Sequence, residues 1–262
     1  MKPLILITND DGVFSPGLKA AVEAVIDLGE ILICAPITQQ TAMGRAFPRT
    51  PDLGIVEEVE LKLGDKRVTA YGVHGSPAYA VAHGVMELAE RMPDFCISGI
   101  NYGENLGRIL TCSGTVGAIL EADSYGIPGI AVSAQIDYRV QRNSDYPKYQ
   151  WEGAKKAVRD WTENFLTCGM PEGVNYYNIN LPEVMGAEPA YRITRLSRQN
   201  YYVFQKPEPR DLSKPYQLQA KLQVDESKLD KNSDIYAIYV DKVISVTPMT
   251  WDMSVDLKPL RS

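Results

Sequence analysis

Histidine is nearly missing from these 262 residues: only His74 and His83 occur, nine positions apart. That spacing fits neither an i, i+4 ligand pair nor a Ser/His/Asp set, and it argues against histidine-based zinc chemistry. Cysteine is scarce too. Cys34, Cys96, Cys112 and Cys168 stand far apart with no Cys-x-x-Cys pair, as expected of reduced, mainly structural thiols. Positive charge is not in excess: 27 Lys plus Arg against 33 Asp plus Glu leave a net charge of −6. No global basic field exists to hold a nucleic-acid polymer by counterion release. No apolar run approaches about 18 residues, and Met1-Lys2-Pro3 leads into a strand-like run instead of a signal-peptide core. The expectation is a cytoplasmic protein with no membrane or nucleic-acid partner and a small or metal-chelated substrate.

What is present is ordinary globular composition, 45% apolar and 23% charged, in a length that suits one large α/β domain with an extension. Leu4 to Ile7 reads as a buried strand, Thr8-Asn9-Asp10-Asp11-Gly12 as a loop, and Leu18 to Leu28 as a helix stopped by Gly29. Ile31 to Cys34 is a second strand, followed by a polar segment from Thr38 to Arg45 of functional-loop length. Val56 to Leu63 and Arg67 to Val73 alternate as a solvent-facing hairpin at an edge. Ser76-Pro77 opens a helix running to about Arg91. Phe95 to Ser98, Gly129 to Ser133 and Tyr176 to Leu181 read as strands, and Thr115 to Tyr125 and Trp151 to Cys168 as helices. The repeated order predicts a Rossmann-like, mainly parallel sheet with helices on both faces over residues 1–181. Past Pro182 the pattern changes. Residues 182–262 read as a β-hairpin-rich extension, with strands at Arg192 to Leu196 and Ile235 to Thr247 around a Lys- and Asp-rich stretch from Lys206 to Asp234, and as an expected oligomerisation arm.

In an open parallel sheet, ligands gather beyond the carboxyl ends of the strands. Asp10 and Asp11 stand there as adjacent carboxylates, which repel unless a cation or proton is shared. One capping the next helix while the other is solvated would explain the pair, but not why the loops after other strands are also rich in small oxygen-bearing side chains. With carboxylate, hydroxyl and amide oxygens on offer, the matching ion is hard: one Mg²⁺ or Mn²⁺. Ser98 to Gly107 is a glycine-rich loop with asparagines at 101 and 105. It is not a Walker A motif, since no Gly-Lys-Ser/Thr follows, and it opens no helix directly, against a dinucleotide fingerprint. Thr111 to Ala118 is a small turn leading into a helix, where Ser113, Gly114 and Thr115 suit either simple capping or a phosphate cradle.

These blocks resemble the SurE family of metal-dependent nucleotidases. Thr8-Asn9-Asp10-Asp11-Gly12 is similar to its N-terminal signature, Ser98-Gly99-Ile100-Asn101 with Gly103, Asn105 and Gly107 to its second block, and Ser113 to Ala118 to its third. Gly75-Ser76-Pro77-Ala78 and Ser245-Val246-Thr247-Pro248 complete the family order. The resemblance implies hydrolysis of nucleoside monophosphates, with polyphosphate as a further substrate, and a homodimer or homotetramer. It implies metal ligands at Asp10, Asp11, Asn101 and Thr41, of which Asp10, Asp11 and Asn101 are also the catalytic set. It places phosphate-site residues at Asn9, Asn105, Ser113, Gly114 and Thr115, with Gly44 on a closing loop. Thr41 replaces the usual serine and keeps the hydroxyl, while Cys112, Arg45 and Tyr79 depart from the family pattern. Two other readings stand beside it: a non-catalytic nucleotide-binding module, and a phosphoaspartyl phosphatase of the haloacid-dehalogenase type with Asp10 as nucleophile.

Overall fold

Short apolar runs bounded by turn residues become strands, and the amphipathic runs between them become helices. The computed structural model describes residues 2–137, 146, 148–186 and 188–254. Its strands are β1 (Leu4–Thr8), β2 (Glu30–Pro36), β3 (Val56–Leu63), β4 (Lys66–Val73), β5 (Phe95–Tyr102), β6 (Gly129–Ala134), β7 (Tyr176–Leu181), β8 (Tyr191–Ile193), β9 (Tyr202–Phe204), β10 (Ala220–Leu222) and β11 (Ile244–Met249). Its α-helices are α1 (Pro16–Val25), α2 (Pro77–His83), α3 (Gly114–Ser124) and α4 (Trp151–Cys168). One sheet takes the order β3-β4-β2-β1-β5-β6-β7-β11-β8, and β9 pairs with β10 alone. From β4 to β7 every pairing is parallel, while β3 and β11 enter antiparallel.

Because side chains alternate along a strand, each central strand feeds two cores. Ile5 and Ile7 of β1 and Phe95 and Ile97 of β5 pack with Leu18 and Val22 of α1 and Val158 of α4. Leu4, Leu6 and Cys96 pack on the opposite face with Val81 of α2 and Val116 and Ile119 of α3. Each such side chain contributes about 1.5–3 kcal/mol on burial. All four cysteines are free; Cys34 and Cys96 are buried, Cys112 and Cys168 exposed.

The mainly parallel α/β reading therefore holds, and the expected edge hairpin is β3–β4, whose outward Glu57, Glu58, Glu60 and Lys62 discourage pairing by a foreign strand. Three local expectations are corrected. The helix expected to reach Arg91 stays α-helical only to His83 and widens into a π-type turn at Gly84–Leu88. The change begins at Gly84, a weak helix former packed onto Cys34 and Leu6. β5 does not stop at Ser98 but runs to Tyr102, with one extra residue between Ser98 and Asn101 relative to Ala131 and Ser133 of β6, so Asn101 leaves a bulged strand end and not a free loop. Ile235 to Thr247 is not one strand. Asp234 and Ser233 accept from the N–H groups of Ile235 and Tyr236 (2.8 and 3.3 Å), a π-type turn follows at Tyr236–Asp241, and only then does β11 begin.

Residues past 181 also send β8 and β11 back into the main sheet beside β7; 255–262 lie outside the described residues. Ser15 ties the first loop to α1, capping Leu18 N–H (3.2 Å) while accepting from Asn9 Nδ2 (2.7 Å). Ser15→Ala is expected to lower unfolding free energy by about 1–2 kcal/mol, read from urea denaturation of the two proteins.

Candidate active site

The loop after β1 holds Asp10 and Asp11 at the carboxyl edge, both buried. Backbone and side-chain donors arrive from four other segments. Thr115 Oγ1, in the first turn of α3, donates to Asp10 Oδ1 at 2.7 Å. Asp11 Oδ2 accepts the Tyr102 N–H from the end of β5 at 2.8 Å, and Asp11 Oδ1 accepts from Gln39 Nε2 at 3.0 Å. Gln40 N–H donates to the Asp10 carbonyl (2.7 Å), and Tyr146 Oη to the Asp11 carbonyl (2.7 Å). Gly114 lets the helix start sit this close: a Cβ there would lie 2.8 Å from Asp10 Cβ and 2.9 Å from Asp10 Oδ2. Ser113 caps α3 by accepting from Val116 N–H (3.2 Å), and the amides of Gly114 and Thr115, at the helix start beside Asp10, have no intrahelical acceptor.

Asn105 is fixed on every side. Its Nδ2 donates to Ser133 Oγ (2.8 Å) and lies 3.5 Å from Thr115 Oγ1; its N–H donates to Asn180 Oδ1 (2.7 Å). Its carbonyl accepts from Asn178 Nδ2 (2.9 Å) and Asn180 Nδ2 (3.2 Å). Asp10, Thr115, Asn105 and β7 thus form one buried chain of polar contacts. Asn101 turns its Nδ2 onto the Gly103 carbonyl (2.5 Å). Gly44 N–H bonds the Cys112 carbonyl at 3.0 Å, which brings the long loop after β2 onto the turn before α3.

Two expected residues stand apart. Asn9 directs its side chain into its own loop: Nδ2 donates to Gly12 O and Ser15 Oγ, and Oδ1 accepts from Gly12 N–H. It shapes the carboxylate loop from behind. Thr41 follows Gln40 but is exposed. Among the departures from the family pattern, Arg45 is committed to Glu121 of α3 at 2.8 Å, and Tyr79 packs against Phe47 and His83. Neither histidine joins the carboxylates: His74 bridges Asp52 and Glu57, and His83 pairs with Glu87.

Gln39, Ser133, Asn178, Asn180 and Tyr146 were not singled out by the sequence. Asn178-Ile179-Asn180 did carry a signal, polar residues on one face of an otherwise apolar strand, and Gln39 sits at the carboxyl edge where the ligand rule points. Tyr146 carried none.

Burial pushes the Asp10 carboxyl up to about 6, against the Thr115 hydrogen bond. Burial and then the neighbouring Asp10 charge push Asp11 up to about 8, against the donors Tyr102 and Gln39. No Lys, Arg or His among the described residues forms an ion pair with either carboxylate. Two buried negative charges without a cationic side chain are costly. The chemistry of the donor set fits a hard divalent ion: Asp10 and Asp11 could hold it, with the Asn101 amide oxygen as a further candidate ligand from the end of β5.

A mainly parallel α/β sheet with two buried carboxylates at its carboxyl edge, beside a helix N-terminus, defines a class of protein whose fold could hold a hard cation and an oxyanion together. The chain belongs to the SurE family: the family model described as Survival protein SurE matches residues 5–203. It is 39% identical over 258 residues to the 5'-nucleotidase SurE of Methanosarcina barkeri, covering 96% of this chain and 93% of that one. It is 34% identical over 262 residues to the 5'-nucleotidase SurE of Thermococcus gammatolerans, with 98% and 94% covered. The crystal structure of the SurE protein from Aquifex aeolicus matches with a TM-score of 0.72 at 29% identity, over 96% of this chain and 95% of that chain.

The raised carboxylates set a pH dependence. In the unfolded chain both titrate near 3.8, whereas the fold retains their protons to about 6 and 8. The folded state therefore binds more protons across this window, so their contribution to stability falls as pH rises and is fully lost above about 8. EDTA-treated protein is expected to melt at a lower temperature at pH 8.5 than at pH 5.5. Asp11→Asn should flatten that slope and raise the melting temperature at pH 8.5, read by differential scanning calorimetry.

Proposed function

We propose that this chain is a divalent-metal-dependent nucleotidase that hydrolyses nucleoside monophosphates to nucleoside and phosphate. The observation that carries this reading is the pair of buried carboxylates, without a cationic side-chain partner among the described residues, set against the N-terminus of α3. The names of the relatives, 5'-nucleotidase SurE, support the substrate class.

In this reading Asp10, Asp11 and Asn101 hold Mg²⁺ or Mn²⁺, with the Thr41 hydroxyl as a further ligand from the loop after β2. The ion, when bound, supplies Lewis acidity toward a phosphoryl oxygen. The chain's own residues do the rest. The first amides of α3 and the Ser113 to Thr115 turn receive the phosphate oxygens, where the helix dipole favours negative charge. Asn105, immobilised by β7 and Ser133, presents a fixed edge to the same group, so little reorganisation is needed as charge builds. Asp10 and Asp11 are the acceptors available to orient an attacking water. Gly44, bonded to the Cys112 carbonyl, fixes the loop after β2 beside the Ser113 to Thr115 turn. Polyphosphate presents the same terminal group and is a further substrate in this reading.

Self-association as a homodimer or homotetramer belongs to the same proposal. It is supported by the apolar side chains exposed around β9 and β10, among them Phe204, Leu212 and Leu222. A cytoplasmic site of action is proposed with it; no helix among the described residues is long and apolar enough to cross a membrane.

The test is phosphate release from a panel of nucleoside monophosphates and polyphosphate with Mg²⁺ or Mn²⁺. Activity should vanish with excess EDTA and return on adding either metal. Asp10→Asn should lower kcat/KM at least about 100-fold without unfolding the protein, since loss of even an outer partner of a metal site costs 10- to 100-fold. Nucleotide binding without phosphate release would favour a non-catalytic binding module, and a trapped phosphoaspartate at Asp10 the dehalogenase-type mechanism.

A further inference from the structure

The segment from Gly103 to Gly107, which carries Asn105, is built against the C-terminal extension as much as against the sheet. Glu104 is buried, 5% exposed, and its Oε1 accepts from Tyr202 Oη at 2.6 Å. Leu106 is fully buried, and its neighbours are Tyr201, Ile235 and Ile238, all from the extension. Gly107 N–H donates to Asp234 Oδ2 at 2.8 Å. The other oxygen of Asp234 accepts from Ser197 N–H and Ile235 N–H, each at 2.8 Å, so this buried carboxylate gathers three separate stretches of backbone. A bridge between Gly107 and Asn200 runs alongside. At Gly107 the approach is so close that a Cβ would lie 2.5 Å from the Gln199 carbonyl. Glu104, Leu106 and Gly107 are thus all held by the extension, and Asn105 lies between the first two of them.

We propose that Tyr202 and Asp234 are positioning residues for phosphate hydrolysis: the extension is a clamp that fixes the Gly103–Gly107 segment, and through it Asn105, against the substrate phosphate. This rests on the nucleotidase reading for its catalytic part. Neither residue touches the substrate. Tyr202 acts through the Glu104 carboxylate and Asp234 through the Gly107 peptide. Removing the Tyr202 hydroxyl takes from the buried Glu104 one donor of a set that also includes Tyr201 and the Ile136 N–H, which loosens the segment where displacements of about 1 Å cost on the order of 100-fold in rate. An extension that serves only to join subunits would not need hydrogen bonds into this loop.

The experiment uses the full chain with Mn²⁺ and compares wild type with Tyr202→Phe, Glu104→Ala, their double variant and Asp234→Asn. Three readings are taken: kcat and KM, size-exclusion retention, and hydrogen exchange of the peptide covering residues 100–110. For Tyr202→Phe and Asp234→Asn the clamp predicts exchange in that peptide at least about tenfold faster, kcat/KM about tenfold lower with KM raised, and unchanged retention. The double variant should be no worse than Glu104→Ala alone, because the bond from the Tyr202 hydroxyl is already lost in Glu104→Ala. Unchanged exchange in the 100–110 peptide overturns the clamp whatever the activity does. Loss of activity only in step with altered retention overturns it as well, in favour of a purely oligomeric role. If wild type releases no phosphate with either metal, the nucleotidase reading fails, while the exchange measurement still decides whether the extension holds the loop.

Discussion

Two carboxyl groups on consecutive residues cannot both be removed from water and charged unless something meets their field, and the fold around Asp10 and Asp11 is arranged to do so. A Thr115 hydroxyl, the Tyr102 peptide and the Gln39 amide each donate to one of the oxygens. These donors come from α3, β5 and the loop after β2, so three elements distant in sequence are held in register by the same pair. They lessen the repulsion without cancelling it, and both carboxyls remain raised. If the pair takes up the cation proposed for it, that cost becomes affinity, because binding would relieve the repulsion.

Much of the α/β body was legible in the sequence because its code is local. Leu4 to Ile7 and Phe95 to Ser98 read as buried strands and Ser76-Pro77 as a helix start, whereas the first helix, read as Leu18 to Leu28, begins earlier, at Pro16 behind the Ser15 cap, and ends at Val25. The departures come where a tertiary contact outweighs local preference. Gly84 gives up α geometry where it meets Cys34 and Leu6. β5 takes in an extra residue so that Tyr102 N–H reaches Asp11, a bond that no property of residues 98–102 announces.

The candidate site divides in the same way. Adjacent aspartates, a glycine- and asparagine-rich segment and a capped helix start are visible as residue types, and the structure brings Asp10, Asp11, Asn105, Ser113, Gly114 and Thr115 together. The direction of a side chain is not visible. Asn9 faces inward to Ser15 because the Gly12 turn offers it two backbone partners. Asn178 and Asn180 matter because β7 happens to run beneath Asn105, a fact of sheet order and not of local pattern.

The Asp234 carboxylate joins Gly107 across 127 positions of chain. On a chain emerging from the ribosome, the strands around Asp10 have their partners long before this bond has its acceptor, and closing so wide a loop comes late in folding. Asn105 has its partners on β6, α3 and β7 by then, whereas Leu106 and Gly107 gain theirs only after Asp234 and the Ile235–Ile238 cluster have been made and docked. A chain stopped short of Asp234 has the strands from β3 across to β7 and both aspartates but lacks the fastening of Leu106 and Gly107, so the order of synthesis itself separates the parallel body from the last contacts beside the site.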